Sequence, residues 1–177
     1  MYTFIHLIVG ILISILFYRS NIFLDSTVIL VFILGNVIID VDHIITTLIM
    51  KGEPFDTARY YLVRGKFREF SKTILEHHKE FNKLLLHNYL TFSIVVISYF
   101  MLVFFGYGYL IQVFLLGIIT HSVMDHVDDI YVERHLRNWF WFIKKQSSFA
   151  FMLLVSILIV IFAYSVFLGL ISFGTLY

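Results

Sequence analysis

The stretch GNVIIDVDHII, residues Gly35 to Ile45, sets two aspartates and a histidine inside an otherwise apolar run. The residues around these three read TVILVFILG before them and IITTLIM after them, and both segments resemble the interior of a membrane helix. Ionisable side chains at such a depth are costly, and they usually mark a functional site. The stretch therefore predicts a membrane helix whose polar residues are compensated by other parts of the chain.

The composition of the whole chain also indicates a membrane protein. Of its 177 residues, 60% are hydrophobic and 14% are charged, whereas about 25% are charged in a soluble domain. The chain has no cysteine, which excludes a disulfide framework, a Cys-based zinc site and a thiol nucleophile. We expect a single integral membrane domain over residues 1–177 with an all-α, polytopic fold.

Five apolar segments are long enough to span a bilayer, which takes about 20 helical residues. They cover residues 2–18, 27–50, 84–105, 107–125 and 149–171. The loops between them contain one, eight, none and four Lys or Arg residues in order along the chain. By the positive-inside rule, the second and fourth loops are cytoplasmic. We therefore expect a protein of the inner cell membrane, with its N-terminus in the cytoplasm and its C-terminus outside.

The cytoplasmic loop 51–83 carries eight basic and five acidic residues. From Phe67 onward, apolar residues recur at the spacing of one helix face. They are Phe70, Ile74 and Phe81. The pattern predicts an amphipathic helix, which either lies on the anionic lipid headgroups of the inner leaflet or packs on the bundle as a linker.

Seven ionisable residues from four predicted spans lie at one level of the bilayer, close to the cytoplasmic surface. They are His6, Asp40, Asp42, His43, His87, His121 and Asp125. At ~1.5 Å per residue, the aspartates and histidine of the second span lie ~20 to ~24 Å below its outer end, and His121 and Asp125 lie ~21 and ~27 Å below theirs. Because the topology rests on Lys and Arg alone, this agreement independently supports one shared site.

Helix geometry groups some of these residues on common faces. Asp40 and His43 are three residues apart and share a face, as do His121 and Asp125, which are four apart. Asp42 lies ~200° from Asp40 on a regular helix. Either the helix is distorted near Asp42, or Asp42 serves a second metal or orients a ligating histidine.

The chemistry of the set favours divalent metal ions. Imidazole nitrogen with carboxylate oxygen and no thiolate suits Zn²⁺ first, with Mn²⁺ or Fe²⁺ as alternatives. Seven ligands exceed the needs of one tetrahedral zinc, so we expect two or more ions. Paired metals typically hydrolyse phosphoesters by activating water and neutralising the leaving oxygen. Bound cations would also offset the cost of buried aspartates.

The same residues resemble the bacterial and archaeal family of predicted membrane-bound metal-dependent hydrolases, also labelled LexA-binding inner-membrane-associated hydrolases. That family is distantly similar to zinc-dependent phospholipase C. Its pattern H-x3-G, D-x-D-H, H-R-x-x-T-H-S/N and G-x3-H-x3-D runs in the same order here, within residues 1–129. The matching segments are His6–Gly10, Asp40–His43, Leu86–Asn88 and Gly117–Asp125.

The sequence departs from the family pattern in two places. Asn82, Lys83 and Leu86 stand where the family has His, Arg and Thr, and Ile39 stands where it has Pro. If the family histidine is a ligand, this chain has one fewer, or His78 substitutes for it. The resemblance implies a hydrolase.

These observations predict a membrane-embedded hydrolase that cleaves a phosphoester or ester of a lipid or lipid-linked substrate at the cytoplasmic leaflet. Asp42 or Asp125 would act as general base, and Lys83 would hold a phosphate. A divalent metal-ion carrier or sensor, and a non-enzymatic membrane scaffold, remain alternatives. The apolar outer halves of the spans argue against a carrier. No nucleic-acid partner is expected, and the oligomeric state stays open.

Overall fold

The chain is all-α in the computed structural model, which describes residues 3–19, 26–77, 80–81 and 84–129. The helices in those ranges are α1 Thr3–Arg19, α2 Ser26–Ile38, α3 Val41–Ile49, α4 Glu53–Val63, α5 Phe67–Glu76, α6 Tyr89–Phe105 and α7 Tyr109–Asp128. The prediction of an all-α fold is confirmed. The predicted span 149–171 lies outside the described residues, as do His78, Asn82 and Lys83.

Two helical stretches are long and apolar enough to cross a bilayer. The first is Ser26–Ile49, which joins α2 and α3, and the second is α7. The apolar part of α1, Ile5–Ile15, and the whole of α6 are shorter. Within the described residues, the predicted segments are therefore apolar helices, and two of them reach the length of a membrane span.

The central pair of the bundle, α2 and α7, is set by two glycines. A Cβ added to Gly35 would collide with the carbonyl oxygen of Phe114, and one added to Gly117 would collide with that of Phe32. Small residues permit such close backbone contact, which is a common way for helices to associate in membranes. Only glycine fits at either position.

An apolar core fills the space between α2, α6 and α7. Its buried members are Val28, Phe32, Tyr89, Phe92, Val96, Tyr99, Val113, Leu116 and Ile119. α1 packs against α2 on another side, where a Cβ added to Gly10 would lie 3.0 Å from the side-chain oxygen of Asn36. These contacts place the inner surfaces of α1, α2 and α7 against one another.

The predicted second span is not one regular helix, because two turn residues separate α2 from α3. At this break, the amide of Asp40 donates to the carbonyl of Val37 at 3.1 Å, and the amide of Asp42 donates to that of Ile39 at 3.0 Å. These three-residue hydrogen bonds wind the backbone more tightly than an α-helix. The helix is therefore distorted next to Asp42, which was one of the two alternatives for this residue.

The loop 51–83 folds into a helical hairpin of α4 and α5. Its small core consists of Phe55, Ala58, Phe70 and Phe81. The prediction that Phe81 continues the helical face from Phe67 is wrong, because α5 ends at Glu76. The chain then turns back and sets the ring of Phe81 against that of Phe55, with centroids 4.7 Å apart. Part of the apolar face of α5 is thus buried by α4.

Arg59 on α4 attaches this hairpin to the end of α3. One of its guanidinium nitrogens donates to the carbonyl of Thr47 at 2.9 Å and to that of Met50 at 2.7 Å. The other nitrogen donates to Asp56 at 3.0 Å. Carbonyls at a helix C-terminus lack partners within the helix and carry partial negative charge. The cation therefore caps α3 and fixes the corner between α3 and α4.

Candidate metal centre

Side chains from α1, the α2–α3 break, the loop before α6 and α7 converge on one cluster of imidazoles and carboxylates. In three groups of three residues, the possible ligand atoms lie within 4.8 Å of one another. The groups are His6, Asp40 and His121; Asp40, His43 and His87; and His87, His121 and Asp125. The structure thus brings six of the seven predicted ligands together in clusters that could hold a metal ion.

Asp125 on α7 is the carboxylate that most of the imidazoles approach. Its Oδ1 lies 3.0 Å from Nε2 of His6. Its Oδ2 lies 3.1 Å from Nε2 of His87 and 3.0 Å from Nε2 of His121. The same nitrogen of His121 lies 3.7 Å from Oδ1 of Asp40. Three separate segments of the chain therefore direct a nitrogen at one carboxylate.

Several of these buried atoms form no hydrogen bond of normal geometry, although two of them lie 3.0 Å from an oxygen of Asp125. They are Nε2 of His6, Nε2 of His121 and Oδ2 of Asp40. A buried polar atom left unsatisfied costs about 1–3 kcal/mol. A divalent ion bound at about 2.0–2.2 Å from imidazole nitrogen and carboxylate oxygen would satisfy all three. The donor set therefore fits a metal ion.

The ring of His121 is oriented by α2. Its Nδ1 donates to the backbone carbonyl of Asn36 and lies 2.8 Å from Nδ1 of His6. A ring N–H that donates to a backbone carbonyl is the usual way to fix the tautomer of a ligating histidine. The other nitrogen, Nε2, is then free to face Asp40 and Asp125.

The glycines of the two histidine motifs make this arrangement possible. Gly10 follows His6 by one helical turn, and Gly117 precedes His121 by one turn. Both glycines face α2 where an added Cβ would meet Asn36, through its side chain for Gly10 and its backbone for Gly117. Each motif therefore combines a close helix contact with the imidazole that the contact positions. Asn36 itself was missed by the sequence analysis, although an Asn beside Gly35 in an apolar helix was a visible signal.

His87 is presented by a loop and not by a helix as predicted, because α6 begins at Tyr89. Asn88 determines this start: its side-chain oxygen accepts a hydrogen bond from the amide of Thr91 at 3.0 Å and so caps the helix. The side-chain nitrogen of Asn88 also donates to the carbonyl of Leu84 at 3.3 Å. The loop is held in place from both ends.

Asp42 belongs to none of the three ligand groups. It is fully buried, and its Oδ2 accepts a hydrogen bond from the amide of Leu86 at 2.6 Å. The same oxygen lies 3.4 Å from both the amide nitrogen and the Nδ1 of His87. Asp42 therefore anchors the loop before α6 and orients the ring whose Nε2 faces Asp125. This geometry corresponds to the alternative in which Asp42 orients a ligating histidine.

His43 lies between the cluster and the α4–α5 hairpin. The centroid of its ring is 5.2 Å from that of His87 and 6.3 Å from that of Phe81. Because Phe81 also packs on Phe55 of α4, the small core of the hairpin adjoins the candidate metal centre. The position of the hairpin is thus coupled to the position of one possible ligand.

A second buried polar pair, also missed from the sequence, adjoins Asp125. Nε2 of His126 and the hydroxyl of Tyr89 are 2.8 Å apart. The contact joins the end of α7 to the start of α6 and so fixes the helix that carries Asp125. Its only signal in the sequence was the position of His126 next to Asp125.

The cluster has a deep side and an accessible side. The side chains of His6 and His121 are 1% and 0% exposed, whereas those of Asp40 and Asp125 are 16% and 14% exposed. The imidazoles thus form the floor, and the two carboxylates are the part that solvent or a substrate can reach.

Comparisons with known proteins leave the family open, because no family model, curated protein or solved structure matches the chain. The resemblance to membrane-bound metal-dependent hydrolases therefore stays a prediction that rests on the quoted motifs.

Proposed function

We propose that this protein is a membrane-embedded, metal-dependent hydrolase that cleaves a phosphoester or ester of a lipid or lipid-linked substrate. The observation that carries the proposal is the convergence of six imidazole and carboxylate side chains from separate segments of the chain. Buried nitrogen and oxygen atoms that form no hydrogen bond of normal geometry lie at the centre of that convergence. A purely structural cluster would be expected to satisfy those atoms itself.

Two or more divalent ions account for the overlap of the ligand groups. Asp40, His87 and His121 each belong to two groups, so neighbouring ions would share them. Zn²⁺ is the first candidate, and Mn²⁺ and Fe²⁺ are the alternatives. Bound ions of this kind would activate water and neutralise the charge that develops on the leaving oxygen.

The residues of the chain then divide into different roles. The accessible carboxylate of Asp125, which three imidazoles surround, is the one we propose as general base. Asp42 is fully buried behind His87, and we assign it the orientation of that ring. Lys83, proposed to hold a phosphate, lies outside the described residues.

The lipid nature of the substrate follows from the surroundings of the centre. Large apolar side chains are exposed on the outside of the bundle, which is typical of a surface that contacts a membrane or a partner. They include Leu30, Leu34, Ile94, Ile97, Met101 and Phe104. We therefore propose an integral protein of the inner membrane with five spans and a cytoplasmic N-terminus. A substrate that diffuses in the bilayer would reach Asp40 and Asp125 laterally.

Metal analysis and a hydrolysis assay of the same preparation test the proposal. The protein purified in detergent should contain about two ions per chain, and it should hydrolyse at least one member of a panel of phospholipids, lipid phosphates and lipid-linked diphosphates. Chelation should abolish turnover, and Zn²⁺ should restore it. His121→Ala should lose both metal and turnover, while His77→Ala, which changes a loop histidine outside the ligand groups, should keep both.

The outcomes separate the parts of the proposal. Protein with no metal above background would contradict the metal centre. Metal-loaded protein that cleaves no ester in the panel would contradict the hydrolase. Zn²⁺ uptake by proteoliposomes that stops in His121→Ala would instead indicate a metal-ion carrier.

A further inference from the structure

The turn between α4 and α5 combines exposed apolar and basic side chains. We call residues 60–68 the hairpin tip. Val63 is 77% exposed and Phe67 is 65% exposed, and among the large apolar side chains of the described residues only Phe104 is more exposed than Val63. The tip also carries three exposed basic residues and no acidic residue. The basic residues are Arg64, Lys66 and Arg68.

Val63 and Phe67 contribute nothing to the core of the hairpin, although Tyr61 and Leu62 of the same tip pack against it. That core is formed by other residues, and its central members Phe55 and Phe70 are only 7% exposed. Gly65, with φ +67°, makes the tight turn that sends Val63 and Phe67 outward. Two large apolar side chains at a turn, with three cations beside them, are the pattern of a segment that enters an anionic lipid surface.

The hairpin is placed so that its tip can reach such a surface. α4 begins at Glu53, four residues after the candidate span ends at Ile49. Arg59 ties α4 to the carbonyls at the end of that span. At ~1.5 Å per residue, α4 carries the tip no more than ~16 Å from its own start. The tip therefore stays near the membrane surface at which the span ends.

We propose that the hairpin tip inserts into the anionic lipid surface next to the candidate metal centre. Val63 and Phe67 enter the boundary between headgroups and acyl chains, and the basic residues bind lipid phosphates. The inference rests on the membrane placement of the proposed function and deepens it, because it names a lipid contact beside the site. Through Phe81, which packs on both Phe55 and His43, tip insertion would also steady a possible metal ligand.

Site-specific labelling tests this insertion directly, because the chain has no native cysteine. An environment-sensitive NBD label is attached to Val63→Cys in the full chain, reconstituted in nanodiscs with or without phosphatidylglycerol. Doxyl-labelled lipid serves as the quencher. Ser71→Cys on the exposed side of α5 is the water-facing control, and Leu30→Cys, at a 56% exposed position of α2, is the lipid-facing control.

We expect doxyl lipid to quench the label at position 63 in anionic nanodiscs nearly as strongly as the label at position 30. The label at position 71 should stay unquenched. Replacing Arg64, Lys66 and Arg68 by Gln should lower the ratio of inserted to free tip by about fivefold for each charge removed. Phe67→Asp should abolish quenching at position 63 and leave quenching at position 30 unchanged.

Three results would overturn the inference. Equal, water-like signals at positions 63 and 71 with quenching at position 30 would exclude tip insertion while leaving the membrane placement intact. No quenching at position 30 would refute the membrane placement itself. A label at position 63 that is shielded from water but not quenched by doxyl lipid would show that protein, and not lipid, covers the tip.

Discussion

The two halves of the helix pair α2 and α7 are held together by opposite kinds of contact. In one half, Val28 and Phe32 of α2 join Val113 and Leu116 of α7 in an apolar core that α6 completes. Beyond the crossing at Gly35, the pair is joined by polar contacts. These are the hydrogen bond from His121 to the Asn36 carbonyl and the approach of His121 to Asp40.

The two halves differ in how many buried polar atoms lack a hydrogen bond of normal geometry: among the described residues the apolar half has one, the hydroxyl of Tyr99, and the polar half has several. Phe32 and Tyr99 are fully buried within the core of the first half. In the second half, buried nitrogen atoms of His6 and His121 face the carboxylate of Asp125 without forming a hydrogen bond of normal geometry. The first half therefore supplies the stability of the bundle, whereas the second half is an arrangement that a bound ion would complete. The difference separates the residues that make the fold from those that make the site.

The largest loss of stability is expected for a substitution at the boundary between the two halves. In Gly35→Ala, the added methyl group would meet the backbone of Phe114, which cannot move aside as a side chain could. We expect a loss on the order of 5 kcal/mol, at the upper end for a single substitution, and little folded protein. Unfolding in mixed detergent micelles measures this loss. Gly10→Ala is the milder control, since its methyl group would meet only the side chain of Asn36.

Folded Gly35→Ala protein of wild-type stability would show that the helices do not cross at this distance. It would also mean that close contact between the helices does not explain why Gly117 lies one turn before His121.

A pair of substitutions, one in each half, tests whether the halves have separate roles. Phe32→Ala should lower the free energy of unfolding by about 3 kcal/mol or more, as for other buried Phe side chains, and should retain the metal. His121→Ala should lose the metal and lower the stability of the metal-free protein by about 1–3 kcal/mol, because the buried carbonyl of Asn36 loses its donor. Excess Zn²⁺ at about 100 times its Kd should stabilise the wild type by about 2.7 kcal/mol and leave His121→Ala unaffected.

Unfolding curves and metal contents of both variants, with and without chelator, check this separation. If Phe32→Ala loses its metal while folded, or if His121→Ala is strongly destabilised without metal, the two halves are one cooperative unit.

The sequence was sufficient to predict those features that depend only on residues close together in the chain. Long apolar runs identified the all-α fold, because a helix that satisfies its own backbone needs no partner to be recognised. The common depth of the polar residues predicted that side chains from distant segments would meet. His6 and Asp125, 119 positions apart in sequence, lie 3.0 Å apart. Depth in a bilayer is measured along one axis, so counting residues along a helix is enough to predict it.

Features that depend on packing could not be predicted in this way. Hydropathy stays high through the break between α2 and α3, so nothing in composition marks the change in hydrogen bonding at Asp40 and Asp42. The return of Phe81 onto Phe55 depends on the shape of the hairpin core and not on helical spacing. The carbonyl of Asn36 orients His121 as a backbone group, and backbone groups leave no trace in a sequence.

Asp42 offers a sharper comparison within the polar half, because it contacts one possible ligand, His87, without belonging to a ligand group itself. In Asp42→Ala, the Leu86 amide and the His87 ring lose their anchor, and Zn²⁺ affinity should fall by about 10–100-fold, as for other residues that orient a ligand. Asp42→Asn keeps an oxygen for the Leu86 amide and should recover much of that loss. Asp40→Ala, the matched change in a ligand group, should bind no metal.

Competition titrations with a chromophoric chelator give these affinities, and the visible spectrum of the Co²⁺-loaded protein reports the coordination. A spectrum altered only in intensity would fit an orienting role. Loss of one oxygen ligand from the Co²⁺ coordination in Asp42→Asn, with all nitrogen ligands kept, would instead make Asp42 a ligand.

The smallest change in stability and metal affinity is expected at a polar contact that lies beside the candidate metal centre and contains no possible ligand. Tyr89→Phe removes the hydroxyl that lies 2.8 Å from Nε2 of His126 and leaves the aromatic ring in the core. The lost hydrogen bond should cost about 1 kcal/mol of stability. Zn²⁺ affinity should be unchanged, because His126 belongs to none of the ligand groups. A tenfold weaker affinity in this variant would extend the polar half to the start of α6, since it would mean that the Tyr89–His126 contact holds Asp125 in position for the metal.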